Sequence, residues 1–265
     1  LKMKHNDELT AALKRAKESD EAKSLFLLSM SHDLRTPMNS IIGYSDLALS
    51  NIGDGEIINS SLLEIKAASN LLLNILEELL YMSTIEQDEI YLKREEFNIK
   101  ETFEKIIQNS IEKINQKKIK LWESISLKHA NVIGDEERLI TVINNIVNNS
   151  IDYTEKGSIN ISVDEKTVNE SKSIYKIIIK DTGIGMTKEQ QERIFGKFYT
   201  AKGSKSYKTG GLGIGLNISK GILDKMNASI SLDSTYEKGT TFTIEIPFDL
   251  KPIGNERTPS DLKKI

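Results

Sequence analysis

Two apolar stripes constrain the first ninety residues more tightly than anything else in the chain. Between Leu25 and about Leu49, the residues Leu27, Met30, Leu34, Met38, Ile41 and Ala48 recur at spacings of three and four, with one double step. That recurrence puts them on one face of an α-helix. Leu62, Ile65, Leu72, Leu76 and Leu79 form a second such set. Between the two lies Ser50-Asn51-Ile52-Gly53-Asp54-Gly55, a run of turn formers. Two amphipathic helices joined by a short turn predict an antiparallel hairpin. A lone hairpin cannot cover both of its stripes, so pairing with a second copy into a four-helix bundle is the economical solution. Packing against the rest of the same chain is the alternative. Pro37 removes one backbone donor and predicts a local bend. Residues 1–24 are polar, lack Gly and Pro, and place Leu9 and Leu13 at i, i+4, which reads as an exposed helix or coiled-coil arm.

From Phe97 the pattern changes. A helix over 99–116, with Phe103, Ile106, Ile107 and Ile114, precedes a strand near Ile119–Leu127. A second helix, 136–153, follows Asp135, a good N-cap residue. Runs rich in Ile and Thr at Ser158–Val163, Ile174–Lys180, Ala228–Asp233 and Thr240–Pro247 predict strands, with a helix near 214–226 between the second and third of them. Strands grouped with intervening helices predict an α+β fold. The expected organisation is an arm (1–24), a helical hairpin (25–92), a sandwich domain (93–250) and a tail or linker (251–265).

Composition narrows the functional classes. Hydrophobic residues make up 38% and charged residues 28%, and the 36 basic and 39 acidic side chains are spread along the chain for a net charge of −3. No basic block points to nucleic acid as a partner. The absence of cysteine excludes disulfides and thiolate metal sites, and a reducing, cytoplasmic setting is the simpler expectation. The most apolar stretch, Leu71–Leu80, contains Asn74, Glu77 and Glu78, so no span of a bilayer is expected. The sequence starts at Leu1 without a signal peptide, which suggests a fragment whose upstream part, and any membrane anchor, is missing.

Of the three histidines, His5, His32 and His129, only His32 has an address that suggests chemistry. At about 100° per residue it lies roughly 170° from the centre of the first stripe and so faces solvent. Thr36 is one turn later on the same face, and Asp33 adjoins it. A neutral imidazole is a competent nucleophile near pH 7, and a neighbouring carboxylate can keep its other ring nitrogen protonated. Downstream, Asn145 and Asn149 project their amides from one helix face, and an amide oxygen suits Mg²⁺. An Asn-rich composition explains that pair equally well. Asp181-Thr182-Gly183-Ile184-Gly185-Met186 follows a strand, where a carboxylate can accept from an amino group on a base and glycines allow close backbone approach. Gly210-Gly211-Leu212-Gly213-Ile214-Gly215-Leu216 precedes a helix, whose free N–H groups could hold phosphates. Its spacing and the polar segment before it fail the dinucleotide fingerprint, and no P-loop exists.

Phe26-Leu27-Leu28-Ser29-Met30-Ser31-His32-Asp33-Leu34-Arg35-Thr36-Pro37 resembles the H-box of sensor histidine kinases. In order, Asp135–Thr154 resembles the N-box and Asp181–Met186 the G1 box. Arg193–Tyr199 resembles the F-box, Gly211–Leu216 the G2 box, and Lys238–Phe242 the closing glycine–threonine motif. The likeness covers about residues 20–248. It implies a dimeric hairpin bundle followed by an α/β-sandwich ATP-binding domain of the GHKL type, shared with Hsp90-type chaperones, gyrase B and MutL-type proteins. It implies that His32 is phosphorylated from ATP, that Asp33 assists, and that Thr36 orients water when a partner is dephosphorylated. The implied nucleotide contacts are Asn145, Asn149, Tyr153, Asp181, Gly183 and Gly185, then Gly211, Gly213, Gly215, Leu216 and Thr241. Asn149 would hold Mg²⁺. The implied partners are a second copy of the chain and the receiver domain of a response regulator. Three positions depart from the family pattern. Asp152 stands where Lys or Arg is frequent and is expected to oppose ATP binding, Thr200 replaces a frequent Arg, and Glu237 a common Gly. Lys202, Lys205 and Lys208 could compensate. A weakly catalytic signalling scaffold is the competing reading that Asp152 supports. A chaperone-type ATPase would need no phosphoacceptor helix.

Overall fold

No residue before Pro37 breaks a helix, and the first helix starts far upstream of Leu25. In the computed structural model, which describes residues 2–86, 91–196 and 215–251, α1 runs without interruption from Lys2 to Ser50. The expected arm and the first hairpin helix are one element. The helix continues through Pro37 on both sides, and around it the hydroxyls of Thr36 and Ser40 donate to the carbonyls of His32 and Thr36 at 3.2 Å each. Asn51 Nδ2 donates to Leu47 O at 2.8 Å where the helix ends. Asp54 then caps α2 (Gly55–Glu86), its Oδ1 accepting from the N–H groups of Glu56 and Ile57 at 3.0 and 3.1 Å. α1 and α2 pack against each other, burying Pro37, Ser61 and Ile75. Leu27, Met38, Leu62 and Leu76 remain about half exposed, so the hairpin leaves a large part of its own stripes uncovered.

The chain divides into two compact units. The hairpin belongs to one, which also takes in Gly185–Ile222 and Ser234–Glu237; the other comprises Tyr91–Ile184, Leu223–Asp233 and Lys238–Ile265. After α2 the elements are β1 (Glu95–Asn98), α3 (Ile99–Gln116), β2 (Lys120–Ser126), β3 (Asn131–Gly134), α4 (Glu136–Tyr153), β4 (Ser158–Asn169) and β5 (Lys172–Asp181). There follow α5 (Lys188–Arg193), α6 (Gly215–Lys225), β6 (Ser229–Thr235) and β7 (Gly239–Leu250). The strands form one mixed sheet in the order β1-β3-β7-β5-β4-β2, with β6 beside β7. Only the β2–β4 pairing is parallel among those with a described register.

Alternation decides which sheet face is buried. Ser173, Tyr175, Ile177, Ile179 and Asp181 of β5 are buried, whereas Lys172, Lys176 and Lys180 are exposed. The register stacks Ile161 and Phe242 on either side of Ile179, and Val163 and Ile244 on either side of Ile177. α3 and α4 pack on each other, with α4 against β5 and α3 against β1 and β2. Asn98 caps α3 and Asp135 caps α4, the latter accepting from Arg138 N at 3.0 Å as its sequence position predicts. The α/β sandwich is therefore present, with α3 and α4 at the predicted bounds. Four-residue β1 and β3 and six-residue α5 are additions, too short to show a period.

Glu165 anchors the β4–β5 end of the sheet. Its Oε2 accepts from Lys128 N and His129 N at 2.7 Å each, and its Oε1 accepts from Ser173 Oγ at 2.7 Å and faces His129 Nδ1 at 2.6 Å. Burial alone would raise this carboxyl. The His129 ring and backbone, the Ser173 hydroxyl and the Lys128 N–H more than reverse that, and hold it at about 2 against an ordinary 4.5. A depressed carboxyl stabilises the fold above its unfolded value and loses that contribution as pH falls through its folded one. The stability difference between wild type and Glu165→Gln should be fully present above pH 4.5 and shrink between pH 4.5 and about 2. Urea unfolding across that range measures it.

Candidate functional site

Helical periodicity places His32 outward, and the imidazole is 66% exposed. Its Nδ1 lies 3.1 Å from Asp33 Oδ1, while the Asp33 side chain is only 18% exposed. An ionised carboxylate offers acceptors only, so a neutral imidazole must donate Nδ1–H to it. Nε2 then carries the free lone pair. Thr36, also exposed, stands one turn on, its hydroxyl donating to His32 O at 3.2 Å. These three predicted residues share one face of α1.

In the second unit, β5 ends on Asp181, and strand alternation turns its side chain to the buried face. Oδ1 accepts from Gly183 N at 2.9 Å and Thr240 N at 3.2 Å. Oδ2 faces Ser150 Oγ on α4 at 3.4 Å and keeps capacity for a further donor. Burial pushes the Asp181 carboxyl above its ordinary value, against the downward pull of the Gly183 and Thr240 N–H groups and the Ser150 hydroxyl.

Two glycines shape this cradle. A Cβ on Gly183 would collide with Tyr153 O and meet Asp181 Oδ1 at 3.0 Å. Gly239, at φ +109°, would drive a Cβ into Asp181 O and to 2.8 Å from Thr182 Cα. Tyr153 O also accepts from Ile184 N at 3.2 Å, which fixes the loop after β5 to the end of α4. A buried carboxylate that keeps acceptor capacity on Oδ2 suits the amino edge of a base.

α4 presents the rest. Asn145 and Asn149 are half-buried on one face. Among the described residues no group of three His, Cys, Asp or Glu side chains could hold a metal ion. A metal here would take one or two protein oxygens and the remainder from phosphate and water, which is how Mg²⁺ is usually held. Asp152, the acid expected to oppose ATP binding, has Lys117 Nζ on the α3 side 3.9 Å from its Oδ1. Burial raises the Asp152 carboxyl, and Lys117 and Lys113 pull it back.

The other expected residues divide. Gly185 adopts φ +61°, the left-handed backbone that its glycine permits. Gly215 and Leu216 open α6, with Leu216 buried. Gly211 and Gly213, together with Thr200, Lys202, Lys205 and Lys208, lie outside the described residues, as do 197–199 of the F-box segment. In the first unit, Met186 N donates to Ser234 Oγ at 2.9 Å and Gln191 Nε2 to Ser234 O at 2.9 Å. The structure brings Thr240 to Asp181. Thr241, paired with Lys180, falls on the opposite face of the sheet.

Residues 134–250 match the family described as histidine kinase-, DNA gyrase B- and HSP90-like ATPase, and residues 22–88 match the His Kinase A (phospho-acceptor) domain. The chain belongs to the sensor histidine kinases. It is 36% identical over 251 residues to the signal transduction histidine-protein kinase BarA of Escherichia coli, covering 93% of this chain and 27% of BarA. It is 30% identical over 260 residues to the autoinducer 2 sensor kinase/phosphatase LuxQ of Vibrio vulnificus, covering 95% of this chain and 30% of LuxQ. The chain thus spans about a quarter to a third of the length of these relatives. The fold also matches full-length ShkA in complex with AMPPNP, with a TM-score of 0.62 and 21% identity over 85% of this chain and 46% of that one. The match to AdeS of Acinetobacter baumannii has a TM-score of 0.56 and 24% identity over 81% of this chain and 96% of that one.

The match of residues 134–250 to this ATPase family supports ATP binding by the chain. Among the described residues no helix is long and apolar enough to cross a membrane. Sequence reasoning missed Ser150, whose only signal is a helix position four residues before a buried Thr154. Within the closing motif it named Thr241 and not Thr240, whose N–H meets Asp181, because a strand's parity is not set by a Thr-Thr pair. Gly239→Ala should destabilise the second unit by about 2 kcal/mol or more, through left-handed strain and collision with the Asp181 backbone. Thermal unfolding of Gly239→Ala and wild type, with and without ATP, measures it; an unchanged midpoint would refute the close approach.

Proposed function

We propose that the chain transfers the γ-phosphoryl group of ATP to His32 Nε2. The observation that carries this is the exposed imidazole whose Nδ1 is held by Asp33. In the proposed step, Nε2 forms a bond to the γ-phosphorus while the bond from that phosphorus to the β,γ-bridging oxygen breaks. ADP leaves with the electron pair, and the Nδ1 proton passes to Asp33 or water. Asp181 would accept from the adenine amino group, with Gly183 and Gly239 letting the surrounding backbone close on its other oxygen. Mg²⁺ held through the Asn149 amide oxygen would neutralise charge on the phosphates. Asn145, Tyr153, Gly185, Gly211, Gly213, Gly215 and Leu216 complete the proposed nucleotide contacts, and Thr241 would act only through its strand.

We further propose that the phosphate passes from His32 to an aspartate of a response-regulator receiver domain, and that Thr36 orients water when the regulator is dephosphorylated. The name of LuxQ as a kinase/phosphatase supports the second activity. The half-exposed Leu27, Met38, Leu62 and Leu76 support a homodimer, in which a second hairpin covers the stripes. A cytoplasmic setting follows from the need for ATP.

Incubation with γ-labelled ATP should produce an acid-labile phosphoprotein in wild type and none in His32→Ala. Label retained by His32→Ala would refute the site. Leu76→Lys places an unpaired charge in the proposed bundle seam and should convert the dimer largely to monomer, by several kcal/mol of lost association. Sedimentation equilibrium of both proteins reads the outcome.

A further inference from the structure

On an α-helix, residues three apart are neighbours, with Cβ atoms about 5–6 Å apart. Asp152 is three residues beyond Asn149 and about 60° round α4 from it. A bare carboxylate there would face the phosphate tail of any nucleotide whose metal sits on Asn149. The structure does not leave it bare. Lys117, the residue that ends α3, reaches across to α4 with its Nζ donating to Ile151 O at 2.6 Å and Asp152 O at 3.2 Å, and 3.9 Å from Asp152 Oδ1. One turn earlier Lys113 Nζ donates to Asn148 Oδ1 at 3.3 Å. Two lysines at i, i+4 on α3 thus face Asn148 and Asp152 at i, i+4 on α4.

We infer that Lys117 is the cation that neutralises Asp152 and thereby lets the nucleotide's phosphate tail occupy the Asn149 side of α4. This rests on the nucleotide reading given above. Lys117 is a positioning residue that acts through Asp152; it bears a charge that α4 itself lacks at this place. Its two bonds to carbonyls at the helix C-terminus hold the ammonium where the helix dipole also favours a cation. The alternative roles are a plain helix cap, with no bearing on nucleotide, or Asp152 acting as an oxygen ligand of the metal.

The test is MgATP affinity of the whole chain, by calorimetry, in wild type, Lys117→Ala, Lys117→Arg, Asp152→Asn and the Lys117→Ala/Asp152→Asn double variant. A charge uncovered near a phosphate weakens binding by about tenfold at low salt. Lys117→Ala should show that loss, and Lys117→Arg should not. The double variant should return to within about twofold of wild type, although it still lacks the helix cap. The Lys117→Ala penalty should shrink as KCl is raised from 50 to 500 mM, because screening acts on charge and leaves packing alone. A double variant as weak as Lys117→Ala, or a salt-insensitive penalty, would reduce Lys117 to a cap. Asp152→Asn weakening MgATP by itself would make Asp152 a ligand and overturn the inference. Wild type that binds no nucleotide would sink the underlying reading as well, whereas wild-type binding without rescue would sink the inference alone.

Discussion

A charge taken out of water must be paid back in hydrogen bonds, and Asp181 shows where the second unit spends them. Its Oδ1 gathers one N–H from the loop after β5 and one from the start of β7. Those bonds require Gly183 and Thr240 to converge on one oxygen, and convergence requires glycine at 183 and 239, where a Cβ would strike backbone. The carboxylate therefore fixes two loops. Oδ2 is met by Ser150 at 3.4 Å among the described residues and keeps acceptor capacity.

Much of this was legible in the sequence because its signals are periodic or local. The spacing of Leu27, Met30 and Leu34 placed His32 outward before any coordinates, since a 3.6-residue repeat assigns every residue of a helix an angle. Asp135 announced α4 because an N-cap is a one-residue signal with a defined partner three residues on. What stayed hidden depends on contacts far apart in sequence. Thr240 meets Asp181 across 59 residues and Ser150 meets it across 31, and neither residue type is distinctive alone. The choice between Thr240 and Thr241 is a question of strand parity, which the core residues Phe242 and Ile244 settle once β7 pairs with β5. Lys117 was invisible for the same reason: its partner lies on another helix.

The hairpin solves a different problem with the same geometry. A phosphoacceptor must stand in solvent, and the helix that carries it must bury a stripe to exist at all. Placing the two roughly opposite each other on α1 satisfies both without compromise. The leucines left half exposed then demand a further partner, whereas the imidazole demands open space.

α4 carries this economy furthest, because three of its faces have separate duties. Leu139, Val142, Ile143, Ile146 and Val147 are buried and hold the helix on the sheet, with Ser150 continuing that face to Asp181. Asn145 and Asn149 occupy the next face, half-buried, the place of the proposed metal–phosphate contact. Asn148 and Asp152 turn to α3, and there the basic side chains Lys113 and Lys117 supply what α4 lacks. An acid on a phosphate-facing helix is tolerable only if its field is closed off locally. At surface-like dielectric a cation some 4 Å away does that far more effectively than dispersed lysines could, because the interaction decays with distance and with salt. The field at residue 152 is thus a property of the α3–α4 pair and not of α4 alone.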